Sequence, residues 1–241
     1  MREEDVLILL TATVTPNTGV TTYFYMNPAE RREQYRQAIC YYLKHTTAKI
    51  VFAENSGCDL AKDFIDIPAD RLEFIVWNEL PNGHPNKGYN EMKILERVWD
   101  ESALIKSCSC VIKITGRLIC KNIKKVISSL PSNTDLSVTI NRKHTYTDSR
   151  IFALSPRVGG CLFQYRERLN SLVGFEDILL LMIDNLPPKH KFVYMPVYCN
   201  MSGVEAGRGI SYNVGGVKLL RDKIKHQIKR LSFYLYTLQH K

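Results

Sequence analysis

Apolar and polar positions alternate along this chain in two distinct rhythms. Val6 to Leu10 is an unbroken apolar run, the pattern of a strand covered on both faces in a parallel sheet. The small, hydroxylated stretch Thr11-Ala12-Thr13-Val14-Thr15-Pro16 follows, then a loop through Asn17 and Gly19. Asn27 before Pro28 predicts a helix start, because asparagine caps free N–H groups and proline suits the first helical position. Tyr35, Ala38, Ile39 and Tyr42 fall at helical spacing, so a helix is expected over 28–44. A second strand over 49–53 stops at Glu54-Asn55-Ser56-Gly57. A third, over 72–77, runs into a loop rich in Pro, Gly and Asn at 78–87. Met92, Leu95, Val98 and Trp99 mark the inner stripe of a helix over 89–102. A β-branched strand over 111–115 comes next, and a short helix over 123–130 closes at Pro131.

Beyond Pro131 the rhythm changes. Strands are expected over 136–140 and 151–154, around the polar turn 145–150. Gly174-Phe175-Glu176-Asp177 leads into a helix over 178–183 that ends before Pro187-Pro188, and 192–198 is a last strand. The glycine-rich segment 201–216 has little periodicity and reads as a loop. From Val217 onward the spacing is strongly helical: Val217, Leu220, Ile224, Ile228, Leu231, Leu235 and Leu238 share one face. That stripe is expected to complete the core, leaving a basic face of Lys218, Arg221, Lys223, Lys225, Lys229 and Arg230 in solvent. Alternating strands and helices argue an α/β fold with a mainly parallel sheet flanked by helices. The simplest division is one catalytic domain at 1–216 and a C-terminal basic amphipathic helix at 217–241.

Composition sharpens this picture at two points. A formal charge of +9 predicts attraction to something anionic: nucleic acid, nucleotide phosphates or an acidic membrane surface. Seven scattered cysteines lack both the even count of a disulfide framework and the paired spacing of a zinc site, so free thiols in a reducing cytosol are expected. The acidic start Met-Arg-Glu-Glu-Asp is unlike a secretory leader. No apolar run approaches the roughly 20 residues that a membrane span needs.

The candidate chemistry lies where hydrophobic runs end. Val111 to Arg117 closes in Thr115-Gly116-Arg117: glycine lets backbone approach a ligand, and the planar guanidinium of Arg117 suits a phosphate. Thr11, Ala12 and Thr13 end the first strand, and Glu54 and Asn55 the second. Polar groups there suit a nucleoside base and ribose, and suit turn capping equally. A P-loop and a Gly-x-Gly-x-x-Gly fingerprint are both absent. Ser202-Gly203 through Gly207-Arg208-Gly209 is a second candidate phosphate loop, with a plain linker as its alternative.

The succession of Thr11-Ala12-Thr13, Ile50 to Gly57, Lys87-Gly88-Tyr89-Asn90-Glu91-Met92, Ile112 to Arg117 and Asp148-Ser149-Arg150 resembles bacterial surface-polysaccharide glycosyltransferases with a GT-A-like fold. The likeness runs to about Asp184. It implies that Thr11, Thr13, Glu54 and Asn55 meet the nucleoside, with Lys87, Gly88 and Arg117 near the diphosphate. Gly174-Phe175-Glu176-Asp177 is similar to the Glu-Asp pair at a helix start in many inverting members. There the aspartate is general base on the acceptor hydroxyl, which makes Asp177 and Glu176 the catalytic candidates. An acidic first turn that offsets the helix dipole is the plainer alternative. The chain departs from the pattern in lacking the Asp-x-Asp that holds a divalent metal in many such enzymes. Asp148 then offers one carboxylate, with Arg150 beside it, and Arg117 can stand where Mn or Mg would; the balance leans to a metal-independent site.

These readings imply a cytoplasmic enzyme moving a sugar from a nucleotide diphosphate donor to a glycan hydroxyl, with a lipid-linked acceptor among the options. They also suit peripheral attachment to the inner membrane face through 217–241. Two other classes stay open: a nucleic-acid-binding protein, for which the tyrosines and charge speak, and a non-catalytic scaffold. Nucleic acid is not the expected partner, because the basic residues concentrate in the last helix.

Overall fold

The computed structural model describes residues 1–16, 27–79, 84–204, 209 and 211–239. The apolar run at the N-terminus forms β1 (Val6–Ala12), buried at every position. It is followed by α1 (Pro28–His45), β2 (Lys49–Glu54), β3 (Leu72–Val76), α2 (Lys87–Glu101) and β4 (Cys110–Thr115). Asn27 and Asn86 cap the two helices, accepting N–H groups of Ala29 and Tyr89 at 2.9 and 3.1 Å. β5 (Ile119–Cys120), α3 (Ile123–Ser129), β6 (Leu136–Val138), β7 (Ile151–Leu154), α4 (Gly159–Phe163), α5 (Phe175–Asp184), β8 (Phe192–Tyr194), β9 (Met201–Ser202) and α6 (Gly216–Gln239) complete the order.

Seven strands form one sheet in the order β3-β2-β1-β4-β7-β6-β8. β1 lies between β2 and β4 and runs parallel to both, with Ala12 opposite Glu54 and Thr11 opposite Thr115. β7 alone is reversed, antiparallel to β4 and to β6, while β6 and β8 are parallel. Side-chain alternation splits the core. Ile8, Leu10, Ile50, Phe52, Ile112 and Ile114 pack towards α1 and α3. Leu7, Leu9, Val51 and Val111 pack towards α2, α4 and α5. This is the expected α/β architecture, a mainly parallel sheet flanked by helices. Among the described residues no helix is long and apolar enough to cross a membrane. All seven cysteines are free thiols.

Two expectations need correction. Met201 and Ser202, read as loop, pair antiparallel with Cys120 and Ile119 in a separate two-stranded ribbon. A pair of two-residue strands joined across a long sequence separation leaves no period to read. The second correction concerns α6, whose apolar stripe does not complete the core. It faces outward, from 51% exposed at Ile228 to 84% at Val217. The docked face is the other one, carried by buried His226 and Phe233. His226 Nε2 lies 2.8 Å from the Met195 carbonyl, and Phe233 packs on Tyr194 and Phe192.

Candidate active site

The chain builds β1, β2 and β3 outward in one direction and then crosses to the other side of β1 for β4. That makes the carboxyl ends of β1 and β4 a topological switch point, where open α/β sheets leave a crevice for ligands. Thr11 and Thr115 are register partners there. The two strands are closed by Gly116, whose N–H donates to the Thr11 carbonyl at 2.9 Å. A Cβ on Gly116 would sit 2.7 Å from that carbonyl oxygen and 3.1 Å from the Tyr35 ring, so glycine is required by close approach of backbone. Arg117 follows, only 7% exposed.

On the α1 side of this edge the residues serve one another. Glu54 is fully buried and accepts the N–H groups of Val14 and Ser56 at 2.9 and 3.0 Å and of Cys58 at 2.8 Å, with the Ser56 hydroxyl as a further donor. Its carboxylate thus ties the loop after β1 to the loop after β2. Thr13 Oγ1 donates to Asn55 Oδ1 at 2.6 Å, and Asn55 N–H donates to the Ala12 carbonyl at 3.2 Å. Arg31, buried in the first turn of α1, reaches the Thr13 and Val14 carbonyls with Nε at 3.0 and 3.1 Å. Sequence reasoning missed Arg31, because Glu30-Arg31-Arg32-Glu33 reads as a solvated face.

On the opposite face a second polar chain runs through the core. Thr11 Oγ1 donates to Glu91 Oε1 at 3.0 Å, and the same carboxylate pairs with Lys113. Lys113 projects from the middle of β4, is 1% exposed, and donates to the Ser149 carbonyl at 2.8 Å. Ser149 Oγ donates to Glu176 Oε1 at 2.5 Å, and Thr147 Oγ1 to the Glu176 carbonyl at 2.7 Å. The rings of Phe152 and Phe175 flank the ammonium at 5.6 and 6.0 Å. Lys113, Glu91 and Ser149 had no role assigned from sequence. The available signal was a lysine inside an otherwise apolar strand, since a buried ammonium must find an acidic partner.

Glu176 therefore points into this chain, half-buried, whereas Asp177 is exposed and accepts the Gly174 N–H at 2.8 Å as the capping group of α5. The start of α2 abuts the start of α5: a Cβ on Gly88 would lie 3.0 Å from Phe175 Cβ and 3.1 Å from its nitrogen. Gly88 is thereby brought against Phe175, the residue before Glu176. Thr115 N–H donates to the Arg150 carbonyl at 2.9 Å, which sets the Asp148–Arg150 pair at the same edge. Arg150 holds both Asp148 oxygens, at 2.8 and 2.6 Å, and stacks on Tyr212. Ser202 donates to Asn213 Oδ1 at 2.6 Å, and its neighbour Gly203, at φ +125°, rests against the Arg117 carbonyl. Arg208 lies outside the described residues.

The carboxyl edge thus gathers Thr11, Ala12, Thr13, Glu54, Asn55, Thr115, Gly116, Arg117, Asp148, Arg150 and Ser202. Thr11 and Glu54 point to opposite faces of the sheet. No family model matches this sequence, and no curated protein matches it. Several solved structures align with most of this chain at low identity. A Desulfovibrio desulfuricans G20 protein described as a nucleotide-diphospho-sugar transferase is 13% identical, with a TM-score of 0.47 over 81% of this chain and 80% of its own. The galactosyltransferase LgtC, in complex with donor and acceptor sugar analogs, is 10% identical, with a TM-score of 0.43 over 73% and 69%. An active-site mutant of LgtC is 9% identical, with a TM-score of 0.46 over 78% and 72%.

Proposed function

We propose that the protein is a cytoplasmic glycosyltransferase, moving a sugar from a nucleotide diphosphate donor to a hydroxyl of a growing surface glycan. The observation that carries this reading is the switch point itself: strand ends drawn together at Gly116, hydroxyls at Thr11 and Thr115, and a buried guanidinium at Arg117. Thr13 and Asn55 offer hydrogen bonds to the nucleoside, and Arg117 with Lys87 offsets the diphosphate charge. In a single displacement the acceptor oxygen bonds to the anomeric carbon as the carbon–oxygen bond to the diphosphate breaks. The diphosphate leaves with the electron pair, and a carboxylate takes the acceptor proton. Each candidate has one oxygen engaged, Glu176 by the Ser149 hydroxyl and Asp177 by the Gly174 N–H, and Glu176 is the one that points into the polar chain leading to Thr11.

A divalent cation does not fit the donor set among the described residues. No three His, Cys, Asp or Glu side chains group together, and Asp148 is held by Arg150 at both oxygens. Cationic side chains carry the charge compensation in this scheme, so no step needs a metal. The test is a thermal-shift screen of nucleoside diphosphates and nucleotide sugars, with and without manganese. A uridine, cytidine or guanosine diphosphate should raise the melting temperature, and Arg117→Ala should weaken that response. Glu176→Gln should keep donor binding and lose about a hundredfold or more in transfer. Equal shifts in wild type and Arg117→Ala would remove Arg117 from the site, and undiminished transfer would free Glu176 of its role.

A further inference from the structure

We infer that α6 is a docking surface for an anionic lipid bilayer. Its apolar stripe stays half to largely exposed, from 51% at Ile228 to 84% at Val217, because His226 and Phe233 on the opposite side make the main contact with the domain. An unpartnered stripe over a helix of this length needs an occupant, and charge decides which. The segment carries six Lys or Arg against one acidic residue, Asp222. By helical spacing Lys218, Arg221 and Lys225 border the stripe on one side and Lys223 on the other. Exposed Arg142, from the loop before β7, shares a groove with Ile228 and Leu231 and extends the same cationic border.

A second copy of the chain seated on the stripe would bring these like charges together, with Asp222, which pairs with Arg221 at 3.8 Å, the single acidic residue against six cations. A surface of anionic headgroups over acyl chains meets both features at once. The stripe sinks to the headgroup boundary, and the flanking cations stay at headgroup level. Tyr234 and Tyr236, both exposed, are residue types favoured at that depth. Topology adds a consequence. β6 and β8 run parallel to β4, so Met195, the α6 contact, lies at the same sheet edge as Thr115 to Arg117. The docking stands on the exposed stripe alone and does not depend on the proposed reaction.

The test is flotation of the full chain with vesicles of equimolar phosphatidylglycerol and phosphatidylcholine, against phosphatidylcholine alone. Binding should be confined to the anionic vesicles and should weaken with salt. Ile224→Asp with Leu231→Asp should reduce the bound fraction by about tenfold or more, and Lys218→Gln with Arg221→Gln and Lys225→Gln should reduce it as well. Unchanged circular dichroism and melting temperature would establish that the variants fold. Three results would overturn the inference: no binding to anionic vesicles, equal binding by the aspartate variant, or a dimer that the aspartate variant dissolves without any vesicle binding by the wild type.

Discussion

Lys113 sits in the centre of β4 with Glu91 and the Ser149 carbonyl as its partners and two phenyl rings as its walls. Lys113→Met keeps the length of the side chain and strips Glu91 of its counter-charge. We expect a loss of about 3 kcal/mol in urea unfolding, at the lower side for a broken buried pair because Glu91 keeps some contact with water. Replacing both residues, Lys113→Met with Glu91→Leu, should cost less than the single change. At this scale the sequence was legible where a residue type has one main use. Gly116 and Arg117 could be singled out because glycine before arginine at a strand end suits close approach and anion contact. Glu54 was located correctly at its strand end, yet its hydrogen bonds go to loop N–H groups, a destination only three-dimensional proximity can reveal. Arg31 and Lys113 were hidden by their neighbours, one in a charged helical run and the other inside an apolar strand.

The last helix shows what periodicity can and cannot say about an element. Spacing established that Val217 to Leu238 share a face, but it does not say which face meets the sheet. The docked side is marked by only two buried residues, His226 and Phe233, and the seven-residue stripe outweighs them in any sequence reading. Docking through His226 also makes the contact pH-dependent. Burial pulls the imidazole below its usual range, and Lys229 and Arg230 add to that, while the hydrogen bond at Met195 opposes it. Tyr194 and Tyr198 face the ring from the domain, and Asp222 lies one turn earlier on the helix. The undocked state therefore takes up a proton at higher pH than the docked one. Docking should be complete above about pH 6.5 and weaken progressively as pH falls below it. Limited proteolysis of the α6 segment should follow that course, and His226→Phe should flatten it.

For the whole molecule, alternation of strand and helix was enough to fix the class and the parallel half of the sheet. The reversed β7 was not legible, because strand order depends on pairings between distant segments and not on local pattern. Its consequence is that the two edges of the sheet are unlike. At the edge away from Arg117, Asp135 gathers Ser155, Arg157 and the Lys191 N–H. Burial pushes its carboxyl up, but these hydrogen bonds outweigh burial and hold it at about 2. A nucleoside diphosphate should slow hydrogen exchange at 11–16, 54–58 and 115–117 and leave 135–136 and 155 unchanged. Protection at the Asp135 edge instead would move the ligand to the wrong end of the sheet.

Reversing β7 also means that the hairpin between β6 and β7 turns around beside the switch point. Its base is fixed by the pairing of Leu136 with Leu154 and of Ile140 with Thr147, while its tip carries His144, in contact with Tyr236 of α6. Insertions or deletions at 141–146 would leave every sheet register intact. Such a tip can change in length and composition without refashioning the scaffold beneath.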